Sequence, residues 1–180
     1  MKKTLLTLAI GLGLASNAAF ANNGSINFYG QVYAGTCPIV IIDPEFGTPA
    51  ARIKMGNVNV SEFTTVGSEA AMRTFGMRIT PGNGCVVSAG TASVTFTGAY
   101  GGAGTGGALY ALEPGGSTNL ALIIKDNTGT PVNNGSPSND FPVDDTDPTT
   151  LIFSAAYKST GADVTPGAAN TDVQFLVDIP

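Results

Sequence analysis

Residues able to do chemistry are few in this chain of 180, and their types narrow the possibilities at once. There is no His and no Trp, and only 12% of residues are charged. Without His there can be no Ser-His-Asp or Cys-His nucleophile, no side chain that ordinarily titrates near neutral pH, and none of the commonest zinc ligand. Thirteen carboxylates remain. Acid/base catalysis would need two of them paired in a cleft, whereas the sequence sets them mostly in turns or at single outward positions. Asp144, Asp145 and Asp147 cluster, but a calcium loop of the EF-hand kind also needs a Gly and a distal Glu, so a solvated loop is expected. Gly102-Ala103-Gly104-Thr105-Gly106-Gly107 fits G-x-G-x-x-G, which holds a dinucleotide only between a strand and a helix. No helical pattern follows it, and a flexible loop is expected. Asn23, Asn59 and Asn134 begin Asn-x-Ser triplets, which count only in a glycosylating host. The chain therefore reads as having no catalytic residues, no cofactor and no metal.

The remaining reactive pair is Cys37 and Cys85, and its chemistry depends on the compartment. Lys2 and Lys3 precede an apolar stretch over residues 5–14 that is too short to span a bilayer, and Ala19-Phe20-Ala21 is a small-residue cleavage site. Residues 1–21 are thus expected to be a signal peptide, with Asn22 the first residue of an exported chain. Its loss removes two lysines and takes the net charge from −5 to −7. An acidic domain of this kind has no electrostatic footprint for nucleic acid or anionic lipid. In an oxidising compartment the two cysteines are expected to form one structural disulfide. Closing a loop of this length stabilises a fold by about 4 kcal/mol in the chain-entropy picture.

The elements that must position these residues are strands. Apolar residues recur two apart at Ile26-Phe28-Val32, over 37–42, at Ile53-Met55, Phe75-Met77-Ile79, Val94-Phe96, Leu120-Leu122-Ile124, over 152–157, and at Val173-Phe175-Val177-Ile179. Such spacing turns one strand face to a core and the other to solvent, and Gly, Pro, Asn and Asp clusters separate the runs. The pattern predicts one antiparallel β-sandwich. Residues 68–72 are the one helical candidate, a single turn at most. Tyr157 is expected to face the core.

The two ends of the chain do not suit an ordinary sandwich. Residues 24–34 form a clean alternating strand with Gly30 in its middle, where Gly marks close backbone approach. At the other end the sequence finishes inside the alternation of Val173, Phe175, Val177 and Ile179, so no further strand is expected to cover that edge. A long apolar edge strand promotes aggregation unless something pairs with it. Each end is therefore expected to serve a different copy of the chain.

These residues carry a resemblance. Gly24-Ser25-Ile26-Asn27-Phe28-Tyr29-Gly30-Gln31-Val32 ahead of Cys37, Met55-Gly56-Asn57-Val58, and Phe75-Gly76-Met77-Arg78-Ile79 ahead of Cys85 are similar in order and spacing to chaperone–usher fimbrial (pilus) subunits of the type 1 major-pilin kind. The likeness continues through Leu122-Ile123-Ile124-Lys125-Asp126-Asn127-Thr128-Gly129, Phe153-Ser154-Ala155-Ala156-Tyr157-Lys158-Ser159-Thr160 and Thr165-Pro166-Gly167-Ala168-Ala169-Asn170-Thr171-Asp172.

The resemblance implies an all-β fold, an incomplete immunoglobulin-like β-sandwich lacking its last strand and completed by donor-strand exchange. It implies a signal peptide over 1–21, a donor-strand extension over 22–36 and a pilin domain over 37–180. Gly24, Ile26, Phe28, Gly30 and Val32 would face a neighbour's groove. Val173, Phe175, Val177, Ile179 and Pro180 would form the groove edge and the strand that a periplasmic chaperone binds. The implied function is a structural subunit of a surface fimbria that supports adhesion. Its implied partners are other pilin subunits, a periplasmic chaperone and an outer-membrane usher, with export through the periplasm to the cell surface and no nucleic acid.

One position departs from the family pattern, in which the last residue but one is usually Tyr. Here it is Ile179, which keeps the apolar alternation, while Pro180 still offers a terminal carboxylate for a chaperone to grip. Other readings of the same pattern are a secreted carbohydrate-binding β-sandwich and a minor adaptor or tip pilin. The absence of Trp disfavours the first, because sugar sites commonly use exposed aromatics.

Overall fold

The structure is a computed structural model that describes residues 37–43, 47–49, 52–82 and 84–179. All of these lie in one compact unit, Tyr33–Pro180. In chain order the strands are β1 (Ile39–Asp43), β2 (Thr48–Pro49), β3 (Glu69–Ile79), β4 (Gly90–Gly98), β5 (Gly102–Ala103), β6 (Leu109–Tyr110), β7 (Leu120–Asp126), β8 (Pro131–Val132), β9 (Phe141–Val143), β10 (Thr149–Ser159) and β11 (Val173–Asp178). The large sheet runs β2-β1-β3-β10-β7-β6-β5, with β8 also on β7, and the small one runs β11-β4-β9. Every pairing is antiparallel. The expected all-β sandwich of two sheets is what the chain forms.

Alternation explains how the sheets meet. Phe75, Met77 and Ile79 of β3, Leu151, Phe153, Ala155 and Tyr157 of β10, and Val94 and Phe96 of β4 are all buried in one cluster. Phe153 is its hub, stacking on Phe75 at 5.7 Å between ring centres and meeting Phe96 edge-on at 5.0 Å. Aromatic pairs at such distances add about 0.5–1.5 kcal/mol beyond the area they bury. β7 differs, because Leu120 to Ile124 are all buried and its run is continuous rather than alternating. On the other face of the large sheet, a Cβ at Gly76 would come within 2.8 Å of the Ile42 and Thr150 side chains, so Gly leaves the space that these two side chains fill over β3.

Three expectations are corrected. Residues 68–72 are not helical but enter β3, where Glu69 pairs with Lys158 and Ala70 with Tyr157. The sequence Glu-Ala-Ala-Met favours helix, yet cross-strand pairing outweighs that weak preference. The conflict leaves a trace: Ala71 and Met72 together oppose Ala156 in a β-bulge, with Ala71 at φ 57°. The run at Ile53-Met55 is no strand, although both side chains are half-buried against the core. Gly56 turns the chain to φ 83° immediately after it, and the Arg73 side chain of β3 donates to the Lys54 carbonyl in place of a ladder. Residues 102–107 are not a simple loop, since β5 pairs with β6 and a 3-10 turn over Thr105–Gly107 joins them. A side chain at Gly102 would meet the Gly107 carbonyl at 2.4 Å, which is why glycines recur there.

Candidate functional site

The site expected from the sequence lies along β11, the end strand of the small sheet. Its residues pair with β4 in an unbroken register from Val173 opposite Gly98 to Asp178 opposite Ser93. Gln174, Leu176 and Asp178 are exposed on the outer face, while Val173, Phe175 and Val177, and Ile179 just past the strand end, turn inward. Burial falls off sharply across the pair. Ala92, Val94 and Phe96 of β4 are at most 3% exposed, whereas the inward residues of β11 are only half-buried. Ile39 and Ile41 of β1 are likewise half-buried against the same core. The core thus has apolar margins at β11 and β1. Such a margin supports no bond-making; an end strand with half-buried apolar side chains at alternate positions is the kind of edge that strand addition uses.

Cys37 and Cys85 are joined, with 4.3 Å between their Cα atoms. The bond ties the entry of β1 to the turn between β3 and β4, where Gly82 and Cys85 also exchange backbone hydrogen bonds at 2.9 Å. The expected disulfide is therefore present.

The carboxylates are less uniformly outward than the sequence suggests. Asp126, at the end of β7, is 3% exposed. Its Oδ1 accepts the Thr128 and Thr130 N–H groups at 2.9 Å and the Thr128 hydroxyl at 2.7 Å, and its Oδ2 accepts the Asn139 amide at 2.7 Å. Burial alone would raise the carboxyl's pKa, but these donors outweigh it and hold it below the ordinary 3.8. A lowered folded-state value makes the carboxylate's contribution complete above the unfolded value and lost as pH falls through the folded one. We therefore expect Asp126→Asn to cost about 2 kcal/mol at pH 7, in line with hydrogen bonds to a charged group. It should also flatten the loss of stability below about pH 4, measured by urea unfolding across pH. An unchanged acid limb in the variant would remove Asp126 from the account.

Other polar groups are structural too. Glu69 meets Lys125 at 2.6 Å and Lys158 at 3.1 Å, and burial of its carboxyl is outweighed by the two ammonium groups, which lower its pKa. The Tyr110 hydroxyl donates to the Val132 carbonyl, and burial pushes its pKa up. Tyr157 is buried, as expected, and donates to the Ala169 carbonyl at 2.6 Å. Asp144 caps an exposed turn through the N–H groups of Thr146 and Asp147. Among the described residues no three His, Cys, Asp or Glu side chains are grouped to hold a metal ion.

Of the residues singled out from the sequence, Val173, Phe175, Val177 and Ile179 come together on one face. Gly24, Ile26, Phe28, Gly30, Val32 and Pro180 lie outside the described residues. Sequence reasoning missed Asp126, whose Asp-x-Thr-x-Thr spacing was a legible sign of a capped turn.

Comparison with known proteins decides the family. Residues 26–180 match the Fimbrial protein family. The chain belongs to that family. It is 30% identical to a type-1 fimbrial protein subunit of Serratia marcescens, with 99% of each chain covered. It is also 30% identical to the A chain of type-1 fimbrial protein of Escherichia coli K12, with 97% of each covered. A solved chaperone–usher pilus, described for the basis of its rod uncoiling, shares the fold at TM-score 0.59 and 21% identity, covering 88% of this chain and 96% of that one. This fimbrial protein is accordingly a structural subunit and not an enzyme; it takes its place in a fimbrium among other pilin subunits.

Proposed function

We propose that this fimbrial subunit joins its neighbours by strand donation. Residues 22–36 of one copy lie along β11 of the next, with Gly24, Ile26, Phe28, Gly30 and Val32 turned into the margin that Val173, Phe175, Val177 and Ile179 edge. The observation that carries the reading is the fall in burial from β4, whose inward side chains are fully enclosed, to β11, whose inward side chains are half open. Both segments alternate with period two, so they can share one register. Burying Ile26, Phe28 and Val32 is worth about 1.5–3 kcal/mol each, and each net backbone hydrogen bond adds about 1 kcal/mol. Because docking completes the acceptor's core, part of the association energy is folding energy.

Before assembly, a strand of a periplasmic chaperone covers the same margin and grips the carboxylate of Pro180, and an outer-membrane usher hosts the exchange. Residues 1–21 direct export through the periplasm to the cell surface, 22–36 form the donor extension, and 37–180 form the pilin domain. The fimbrium so built supports adhesion. Family membership and the likeness to a chaperone–usher pilus support this route.

The test is self-complementation. A chain beginning at Asn22, with a copy of residues 22–34 appended through a short flexible linker after Pro180, should unfold at least about 4 kcal/mol later than the same chain without it, given three buried apolar side chains. A gain below about 1 kcal/mol would remove the donor strand from the account.

A further inference from the structure

β11 is reached from β10 by residues 160–172, which cross from the large sheet to the small one without forming a strand. A connection of this length lacking regular structure is unusual in a compact domain. This one is fastened along its length to residues 111–119, the connection between β6 and β7. The Thr160 N–H donates to the Asn119 carbonyl at 2.8 Å, and the Asn119 amide donates to the Asp163 carbonyl at 2.8 Å. The Thr165 hydroxyl accepts the Thr118 N–H at 2.9 Å and shares a hydrogen with the Thr118 hydroxyl at 2.9 Å. The Ser117 hydroxyl donates to the Thr165 carbonyl, its N–H to the Ala168 carbonyl, and the Glu113 N–H to that of Asn170. Nearest β11, the Thr171 hydroxyl donates to the Ala111 carbonyl at 2.7 Å and the Ala99 N–H to the Asp172 carbonyl at 2.8 Å.

Two glycines set how closely the segments lie. A Cβ at Gly116 would stand 2.2 Å from the Ala168 carbonyl oxygen, and one at Gly167 would stand 2.7 Å from the Ser117 nitrogen. Both obstacles are backbone atoms, which cannot swing aside. The clasp therefore ends, at Thr171 and Asp172, immediately before the residue that begins the β11 ladder opposite Gly98.

We propose that this clasp is the register lock of β11. A shift of one residue would turn Gln174, Leu176 and Asp178 to the core and Val173, Phe175 and Val177 outward. Fastening 160–172 to the large sheet's connection excludes that shift before any strand is added. Gly116, Gly167 and Thr165 are positioning residues for assembly, a role that rests on β11 being the groove edge.

Hydrogen exchange on the self-complemented chain, followed residue by residue, tests it. Gly116→Ala and Thr165→Val should each speed exchange of β11 and β4 ladder amides at least tenfold while β10 and β7 amides hold their rates. Thr165→Ser, which keeps the hydroxyl, should restore slow exchange. Ladder amides as protected as in the parent chain would overturn the proposal, and so would an equal loss of protection in β10 and β7, which would mark a general loss of stability. Should Gly116→Ala not fold, the Thr165 pair decides alone. Exchange in the parent with and without the appended strand reports separately on donation, so a failure of that reading is distinguishable from a failure of the lock.

Discussion

Removing the disulfide by Cys37→Ser with Cys85→Ala is expected to cost about 4 kcal/mol of unfolding free energy, the largest effect of any single covalent change in this chain. The bond closes a loop of 48 positions, and freeing it enlarges the unfolded ensemble far more than the folded one. Cys85 is buried in the main core, so Ala is the better replacement there, because a Ser hydroxyl would lose its hydrogen-bond partners. With a urea slope of about 2 kcal/mol/M, the midpoint should fall by roughly 2 M. The unaltered chain in reductant should move by the same amount. A loss under about 1 kcal/mol in either measurement would show that the reduced chain already holds 37 near 85 and that loop closure explains little.

Phe28→Asp should abolish fibre formation while the subunit remains folded in complex with its chaperone. On the strand-donation reading, the substitution removes about 1.5–3 kcal/mol of apolar burial and forces a carboxylate into an apolar pocket, a penalty of several kcal/mol more. Together these lower the association constant by roughly a thousandfold or more. On the same reading residue 28 belongs to the donor and the chaperone covers the acceptor margin, so recovery with the chaperone should match the parent. SDS-resistant multimers are the readout. A normal multimer ladder from the variant would show that residues 22–36 do not make the joint.

How much of this could be seen in the sequence depends on whether a feature is local. Runs such as Phe75-Met77-Ile79 and Val173-Phe175-Val177 state their own period, and each became the strand face expected of it. Residues 69–72 misled because their local preference for helix competes with partners that lie 84 to 89 positions away in β10, and no local pattern reports those partners. Ile53 and Met55 have strand spacing but form no ladder, and the Lys54 carbonyl between them takes the Arg73 side chain instead, so alternation alone did not make a strand. Asp126 was legible only in part: its spacing to Thr128 and Thr130 announces the local donors, but Asn139, which closes its shell, comes from the approach to β9. The clasp between 111–119 and 160–172 had no signal in periodicity, since it is built from backbone groups, hydroxyls and glycines.

If subunits join as proposed, through residues 22–36 and β11, the Cys37–Cys85 bond also sets how each subunit carries tension. In a fibre joined through the N-terminal extension and β11, a pull enters near residue 37, passes across the two sulfurs to residue 85, and reaches β4 after a few residues. It leaves through the six paired positions that β4 shares with β11. β1, β2 and β3 lie within the bridged loop and outside this path. If the fold were to unravel under load, the 48 positions inside the loop would add no length, which withholds roughly 160 Å of extended chain from each subunit. The bond is then a limit on how far the fibre can stretch, set subunit by subunit.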